Sequence, residues 1–210
     1  MSIYRKYINQ TRKPQGFLGK MMIRRMNSEH AKLSEWGLEH LARFERIAPA
    51  EILEIGCGGG MNAGALMKMY PSAKLTAIDY SEVSVGKATA YNKAMIASGR
   101  CVIRQGDVSA LDLPEENFDL ATAFETIYFW PGLENCFSEV ARVLKPGGFF
   151  MIVNESDGED ERSLDYAKII DGMRCYTPKV IEAALKSAGF TKVRCSHHRS
   201  MPWITVLARK

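Results

Sequence analysis

A glycine-rich run that directly follows a short apolar segment constrains the fold more than any other feature of this chain. Residues 52–55 are apolar apart from Glu54, and residues 56–60 read Gly-Cys-Gly-Gly-Gly. Glycine permits sharp turns and lets a ligand approach the backbone closely. The run predicts a strand, a tight turn and a following helix. Such a turn is either a plain connection or a site for a nucleotide-like ligand beyond the strand end.

Strand and helix patterns alternate along the rest of the chain. This alternation predicts a parallel sheet that is covered by helices on both faces. The last two strands have no helix between them, so they must pair antiparallel. The predicted helices cover residues 31–48, 61–70, 82–98, 133–144 and 178–188, and the predicted strands cover residues 52–55, 74–78, 101–104, 118–124, 149–153, 191–196 and 203–208.

Positive charge is concentrated at the N-terminus of the 210-residue chain. Residues 1–25 contain seven Lys or Arg and no acid, whereas the remainder carries 21 bases against 24 acids. The length predicts one domain over residues 31–210, preceded by a basic arm at residues 1–30. A basic arm is typical of a segment that meets nucleic acid, anionic lipid or an anionic substrate, or of a solvated terminus. The acidic body argues against a nucleic-acid partner.

Cysteine, histidine and hydropathy patterns predict the compartment and the absence of a metal. The five cysteines are widely spaced and form no Cys-x-x-Cys pair, which favours a reducing, cytoplasmic location. None of the four histidines pairs with a carboxylate at a metal-motif spacing, so no metal site is expected. No apolar stretch is long enough to span a membrane, and the first residues lack an apolar leader.

Acidic residues follow the predicted strands at the edge where the glycine run lies. Asp79 ends the second strand, where a carboxylate can bind both hydroxyls of a ribose. Asp107 follows the third strand, where it can accept from the exocyclic amine of an adenine. Each acid alone could be a cap or a turn residue. Together with Glu54 at the first strand they predict a nucleoside site.

The details of the glycine run select among nucleoside ligands. The dinucleotide fingerprint Gly-x-Gly-x-x-Gly is matched by Gly56 and Gly58 but broken at Met61. No Gly-Lys-Ser/Thr follows, which excludes a P-loop. Glu54, four residues before Gly58, suits a ligand with a positive amino group and no pyrophosphate. S-adenosylmethionine has this chemistry.

With these residues in place, the sequence resembles the class I S-adenosylmethionine-dependent methyltransferases over about residues 31–210. The resemblance implies an α/β, Rossmann-like, doubly wound seven-stranded sheet with strand order 3-2-1-4-5-7-6. Strand 7 would be antiparallel, and helices would extend the N-terminus. The matching motifs are residues 54–60, Asp79, Gly106-Asp107-Val108, Phe118-Asp119-Leu120 with Phe124-Glu125, residues 144–148 and residues 188–190.

The resemblance also implies how the cofactor S-adenosylmethionine is held. The loop would lie under the methionine part, with Glu54 facing the amino group and Asp79 holding the ribose. Tyr80 would stack on the adenine, whose edge would meet Asp107 and Val108. The remaining implied contacts are Gly56, Cys57, Gly58 and Gly60 of the loop, and Phe124 and Glu125 beside the methionine.

The acceptor site is expected from residues 125–130, 155–175 and 15–36. The aromatic segment 126–131 suits a planar or apolar acceptor, or simply packs in the core. His30 is the candidate general base and Tyr128 a candidate for orienting the acceptor, although either could be structural. A small-molecule acceptor is favoured. An RNA or protein methyltransferase and a non-catalytic, regulatory S-adenosylmethionine-binding module remain the alternatives.

Overall fold

A computed structural model describes residues 3–44 and 47–210. Within these residues, seven strands form one sheet in the order β3-β2-β1-β4-β5-β7-β6. β7 runs antiparallel to both β5 and β6, and the other neighbours are parallel. The predicted strand order and the antiparallel seventh strand are confirmed. The strands are β1 Glu51–Ile55, β2 Lys74–Asp79, β3 Cys101–Gln105, β4 Phe118–Phe124, β5 Leu144–Asn154, β6 Lys192–His197 and β7 Ile204–Arg209.

Nine α-helices occur in the described part of the chain, and those that follow the basic arm include the helices that cover the two faces of the sheet. No helix among the described residues is long and apolar enough to cross a membrane. The helices are α1 Ile3–Ile8, α2 Gly16–Glu29, α3 Ala31–Phe44, α4 Met61–Met69, α5 Glu82–Tyr91, α6 Lys93–Ala97, α7 Leu133–Val143, α8 Glu161–Ile169 and α9 Pro178–Ser187.

Two apolar cores lie on opposite faces of the sheet. On one face, Leu41 of α3 and Leu66 of α4 pack over alternate strand residues. On the other face, Phe137 of α7 and Ile181 of α9 pack with Phe150 of β5. Because successive strand residues point to opposite faces, parallel strands buried on both sides must be apolar nearly throughout. Because β1 runs parallel to β2 and to β4, the carboxyl ends of these three strands lie at one edge of the sheet.

The prediction of one continuous helix over residues 82–98 is wrong, because the segment breaks at Asn92 into α5 and α6. The buried Asn92 amide donates to the carbonyl oxygens of Gly60, at 2.9 Å, and of Ala88, at 3.1 Å. An asparagine side chain that bonds to the backbone favours a break over a continuous helix. The break therefore ties the glycine run to α5.

Other predicted boundaries also shift. α3 ends at Phe44 rather than at residue 48: residues 45 and 46 lie outside the described residues, and residues 47–48 are not helical. β5 is longer at both ends than the predicted strand over residues 149–153. The polar segment 155–175 contains α8, whose N-cap Asp160 accepts from the Ser163 amide at 2.9 Å.

The described part of the basic arm, residues 3–30, is mostly helical and lies across the carboxyl edge of the sheet. At one side, the Ser81 hydroxyl donates to the Pro14 carbonyl oxygen at 2.7 Å, and the Tyr80 hydroxyl donates to that of Arg12. At the other side, Arg5 pairs with Asp171 beyond α8, at 2.9 Å. The arm thus bridges from the end of β2 to the segment after α8.

Candidate active site

A cavity of about 350 Å³ opens beyond the carboxyl ends of β1, β2 and β4. Its walls come from the glycine run, the ends of β2 and β4, the basic arm and α8. Open α/β sheets bind their ligands in this crevice, and ligand pockets have volumes of roughly 300–1,000 Å³. The cavity is therefore the candidate site.

The glycine run forms a loop that only glycine permits at its first position. Gly56 has a φ of +75°, and the amides of Gly56 and Cys57 both donate to the Ile78 carbonyl oxygen, at 2.8 and 3.0 Å. A Cβ on Gly56 would lie 2.3 Å from the Thr126 hydroxyl oxygen. The loop is thus held between β2 and the segment after β4, with its backbone against the cavity.

Asp79 stands at the end of β2, in the cavity wall, and is only 7% exposed. One carboxylate oxygen accepts from the Gly58 amide and the other from the Ser81 amide, each at 2.9 Å. Burial raises the pKa of this carboxyl. The Ser84 side chain also hydrogen-bonds to Asp79. A carboxylate has about four lone-pair sites, so acceptor capacity remains for a ribose hydroxyl.

Glu54 is 1% exposed, and its Oε2 has no hydrogen-bond partner among the described residues. Burial, with the nearby charge of Asp79, raises the pKa of Glu54 to about 8. A buried carboxyl without a partner fits a ligand that brings a cationic amino group. Glu54 and Gly60 do not line the cavity, whereas Gly56, Cys57 and Gly58 do.

The cavity continues past Tyr80, Asp107 and Val108, which all line it. The Asp107 Oδ1 accepts from the Ser109 amide, at 2.8 Å, and hydroxyl, at 2.7 Å, which leaves Oδ2 for a ligand. The Lys13 ammonium lies 5.0 Å from the centre of the Tyr80 ring and covers one of its faces. Tyr80, Asp107 and Val108 therefore share the cavity with Asp79, and their contacts with an adenine stay a prediction.

At the other end of the cavity a polar cluster forms around Glu125, which directly follows β4. Tyr128 donates to the Glu125 Oε1 at 3.1 Å, and the Glu155 amide donates to the same oxygen. The His30 Nε2 lies 3.8 Å from the Glu125 Oε2 and 4.0 Å from the Glu155 Oε2. Glu125 adopts a φ of +57°, a strained conformation for a non-glycine residue. We call His30, Glu125, Tyr128 and Glu155 the acid–base cluster.

Burial moves the pKa values of Glu125 and His30 in the directions that favour their uncharged forms. Burial, with the charge of Glu155, raises the pKa of Glu125 well above its usual range. Burial lowers the pKa of His30, against the opposing effect of Glu155. The raised pKa favours the acid form of Glu125, and the lowered pKa favours neutral His30, which then has a lone pair to accept a proton.

Three side chains of the acid–base cluster also have the spacing of metal ligands. Donor atoms of His30, Glu125 and Glu155 all lie within 4.8 Å of one another, a spacing that could hold an ion. They come from three distant segments, so motif spacing in the sequence could not report on them. The Glu125 Oε1 already accepts two hydrogen bonds, and the raised pKa of this residue favours its acid form. The arrangement therefore suits the sharing of a proton among His30, Glu125 and Glu155. The expected absence of a metal stays a prediction.

Most residues selected from the sequence meet in this one cavity. Glu155, Thr126 and Arg162 lie within the predicted acceptor segments 125–130 and 155–175, but sequence reasoning singled out none of them. Glu155 follows β5 as Glu125 follows β4, so the rule of acids at strand ends could have selected it. The selected residues that line the cavity are His30, Gly56, Cys57, Gly58, Asp79, Tyr80, Asp107, Val108, Phe124, Glu125 and Tyr128.

Comparison with known proteins identifies the family. Residues 53–152, which span the glycine run through β5, match the family described as Methyltransferase domain. An S-adenosylmethionine-dependent methyltransferase from Aquifex aeolicus superposes with a TM-score of 0.75 at 18% identity, over 90% of this chain and 97% of that one. The chain belongs to the class I S-adenosylmethionine-dependent methyltransferases. This confirms the predicted family, enzyme class and fold, and the predicted cofactor S-adenosylmethionine.

Sequence relatives of this methyltransferase include enzymes named for sterols. Sterol 24-C-methyltransferase of Candida albicans is 30% identical over 149 residues, which cover 67% of this chain and 39% of that protein. Sterol methyltransferase-like 2 of Botryococcus braunii is 32% identical over 176 residues, which cover 75% and 44%. The chain spans about two-fifths of the length of these relatives.

Proposed function

We propose that this methyltransferase transfers the methyl group of S-adenosylmethionine to a small, largely apolar acceptor. One observation carries the proposal: the acid–base cluster shares a single cavity with the glycine loop and Asp79, and apolar side chains surround it. An acceptor there would have an apolar body and one polar group that meets the cluster. The apolar side chains that line this end are Met22, Met26, Phe129, Tyr166, Ile170 and Met173.

S-adenosylmethionine supplies a methyl group on a positively charged sulfur, which is already activated for transfer. The tasks left to this chain are to position the acceptor, to exclude water and to take up a proton. Gly56 and Gly58 would support the methionine part, Asp79 the ribose, and Asp107 with Val108 the adenine edge. Glu54, as a carboxylate, would compensate the positive charge of the amino group on the methionine part.

We further propose that residues 1–30 act as a lid. α2 already packs on the loop, since a Cβ on Gly59 would lie 2.4 Å from the Asn27 amide and 2.8 Å from the Ile23 side chain. Met22 and Met26 of the same helix line the cavity. A site closed from above by a helix suits a small molecule better than a macromolecular acceptor.

His30 would accept the proton that an acceptor hydroxyl or amine loses. Its Nε2 faces Glu125 and Glu155, and its lowered pKa keeps it neutral at physiological pH. Glu155 would stabilise the imidazolium that forms, while Tyr128 and the Glu155 amide hold Glu125 in place. The sterol names of the relatives support an apolar acceptor.

The function is tested by measuring S-adenosylhomocysteine release with different classes of acceptor. We expect release with members of a panel of sterols, phenols and alkylamines, and none with bulk RNA or protein. Release with RNA that falls steeply with salt would instead indicate a nucleic-acid acceptor. Tight S-adenosylmethionine binding without release from any acceptor would favour a regulatory module.

The first prediction concerns pH. Methyl transfer should persist as the pH falls through 6.5, the ordinary pKa of histidine, because burial lowers the pKa of His30. It should fall only in more acidic buffer, where His30 becomes protonated. His30→Gln should lower the rate by roughly 10²–10⁴-fold, the usual contribution of a general base, and remove this acid limb. His197→Gln, at the exposed end of β6, is the control. An unchanged rate in His30→Gln would remove this residue from the mechanism.

The second prediction concerns Asp79. Asp79→Asn should weaken S-adenosylmethionine binding by roughly ten- to a hundredfold, since hydrogen bonds to a charged group contribute about 1.5–3 kcal/mol. The amide would also face one of the Gly58 or Ser81 N–H donors with a donor of its own. Calorimetric titration measures the affinity, with the fully exposed Asp112→Asn as the control. Equal affinities would contradict the assignment.

A further inference from the structure

The outer face of α2 exposes large apolar side chains. Phe17 is 76% exposed, Leu18 40% and Met21 45%. Phe17 and Met21 are four residues apart, so they lie side by side on one face of the helix. The opposite face, with Met22 and Ile23, is buried against the rest of the protein. The helix therefore has two apolar faces, of which one covers the cavity and the other covers nothing within the described residues.

Basic residues flank the outer apolar face. Lys20 and Arg24 follow Phe17 by one and two turns, so they lie beside it, and both are exposed. Neither has a carboxylate partner within the ranges that the structure describes. Residues 1–25 carry seven bases and no acid, whereas the remainder of the chain is slightly acidic. Lys20 and Arg24 thus give this apolar face a positive border.

We propose that the outer face of α2, formed by Phe17, Leu18, Lys20, Met21 and Arg24, docks on an anionic lipid surface. Exposed Phe and Leu with Lys and Arg alongside are the composition of helices that lie in the membrane interface. The lipid tails would take up the apolar side chains, and the anionic headgroups would attract the bases. A nucleic acid offers its phosphates to the bases but has no comparable apolar phase for Phe17 and Met21.

Docking by this face would set the cavity at the membrane. The residues of the outer face do not line the cavity, while Met22 and Met26 on the inner face do. One helix would therefore hold the lipid surface on one side and the cavity on the other. This proposal goes beyond the proposed function, because it concerns where the protein resides and holds for any acceptor.

Sedimentation of the full chain with vesicles tests the proposal without measuring turnover. We expect the protein to pellet with vesicles of phosphatidylcholine mixed with phosphatidylglycerol, and much less with phosphatidylcholine alone. Added salt should weaken the binding, because it screens the charges. Absence of binding to the anionic vesicles, or equal binding to both kinds, would overturn the proposal.

Variants assign the binding to this face. Phe17→Ser with Met21→Ser should weaken vesicle binding by about tenfold or more, and Lys20→Gln with Arg24→Gln by about fivefold for each base. Lys179→Gln with Val180→Ser, an exposed basic and apolar pair on α9, is the matched control and should bind as the parent does. All variants should keep the parent's affinity for S-adenosylmethionine, which verifies that they fold.

Other results would assign the face to another partner and overturn the proposal. Vesicle binding that is unchanged in the α2 variants would place the contact elsewhere. Binding of bulk RNA that requires Lys20 and Arg24 but not Phe17 and Met21 would indicate a nucleic-acid surface. A dimer that dissociates only in the Phe17→Ser and Met21→Ser variant would indicate a second copy of this chain.

Discussion

Replacing Glu54 with glutamine is expected to abolish the proton release that accompanies S-adenosylmethionine binding at pH 7. Glu54 is buried, its Oε2 has no partner among the described residues, and its pKa is raised to about 8. It is therefore mostly protonated at pH 7 in the free protein. Glu54 does not itself line the cavity, but the field of a cationic amino group bound there favours its carboxylate, so binding should expel about one proton.

Calorimetry in buffers with different ionisation enthalpies counts this proton. The parent protein should release it at pH 7 and much less at pH 9, where Glu54 is already ionised. Glu54→Gln should release none and should bind more weakly, because its side chain cannot become an anion. Glu139→Gln is the control, since Glu139 pairs with Arg142 on α7 outside the cavity. Proton release that persists in Glu54→Gln would refute the assignment.

The same substitution has a consequence for stability that needs no cofactor. Between pH 4.5, the usual pKa of the carboxyl, and about 8, folded Glu54 keeps a proton that the unfolded chain has lost. Its contribution to the free energy of unfolding therefore falls as the pH rises through this window, by up to about 1.4 kcal/mol per pH unit. Denaturant unfolding of the parent and of Glu54→Gln should diverge in this direction.

Gly56→Ala is expected to produce the largest loss of both stability and cofactor binding. The φ of +75° strains any L-residue, and the new Cβ would lie 2.3 Å from the Thr126 hydroxyl oxygen. Strain of this kind costs about 1–3 kcal/mol before the clash is relieved. Relief requires movement of the loop or of the segment after β4, and both line the cavity. We expect S-adenosylmethionine affinity to fall by more than about a hundredfold, equivalent to roughly 3 kcal/mol.

A second glycine provides the matched control. Gly86 lies within α5 without a positive φ, and a Cβ added to it would meet no neighbouring side chain or packed element within 4 Å. Gly86→Ala should therefore stabilise the fold by roughly 0.5–1 kcal/mol through helix propensity, with unchanged cofactor affinity. Thermal unfolding and calorimetric titration of both variants make the comparison. If Gly56→Ala matched Gly86→Ala in both measurements, the loop would not require glycine.

The order of the elements and the cofactor side of the site are predictable from the sequence, because both depend on local patterns. Gly56, Gly58, Asp79 and Asp107 each follow or end a strand, and the sheet brings strand ends together. The break at Asn92 is not predictable, since its cause is the Gly60 carbonyl oxygen, 32 residues away. Local periodicity carries no information about such a contact.

The acceptor side of the site is even less predictable, because it depends more on contacts between residues that are distant in sequence. His30, Glu125 and Glu155 come from the arm, the end of β4 and the end of β5, and only tertiary packing brings them within hydrogen-bonding reach of a common ligand. The pKa shifts of His30 and Glu125 arise mainly from burial, which the sequence does not display. The position of His30 before α3 and the segment 155–175 are predictable from the sequence, whereas only the structure shows that Glu155 faces His30.

The turn at residues 79–81 couples ligand binding in the cavity to docking of the basic arm. Asp79 faces the cavity, while Tyr80 and Ser81 donate to backbone oxygens of the arm, at Arg12 and Pro14. A ligand that orders this turn must also favour the arm's docked position, and by thermodynamic reciprocity the docked arm must tighten the ligand by the same factor. Departure of the spent cofactor and release of the arm would then be a single coupled equilibrium.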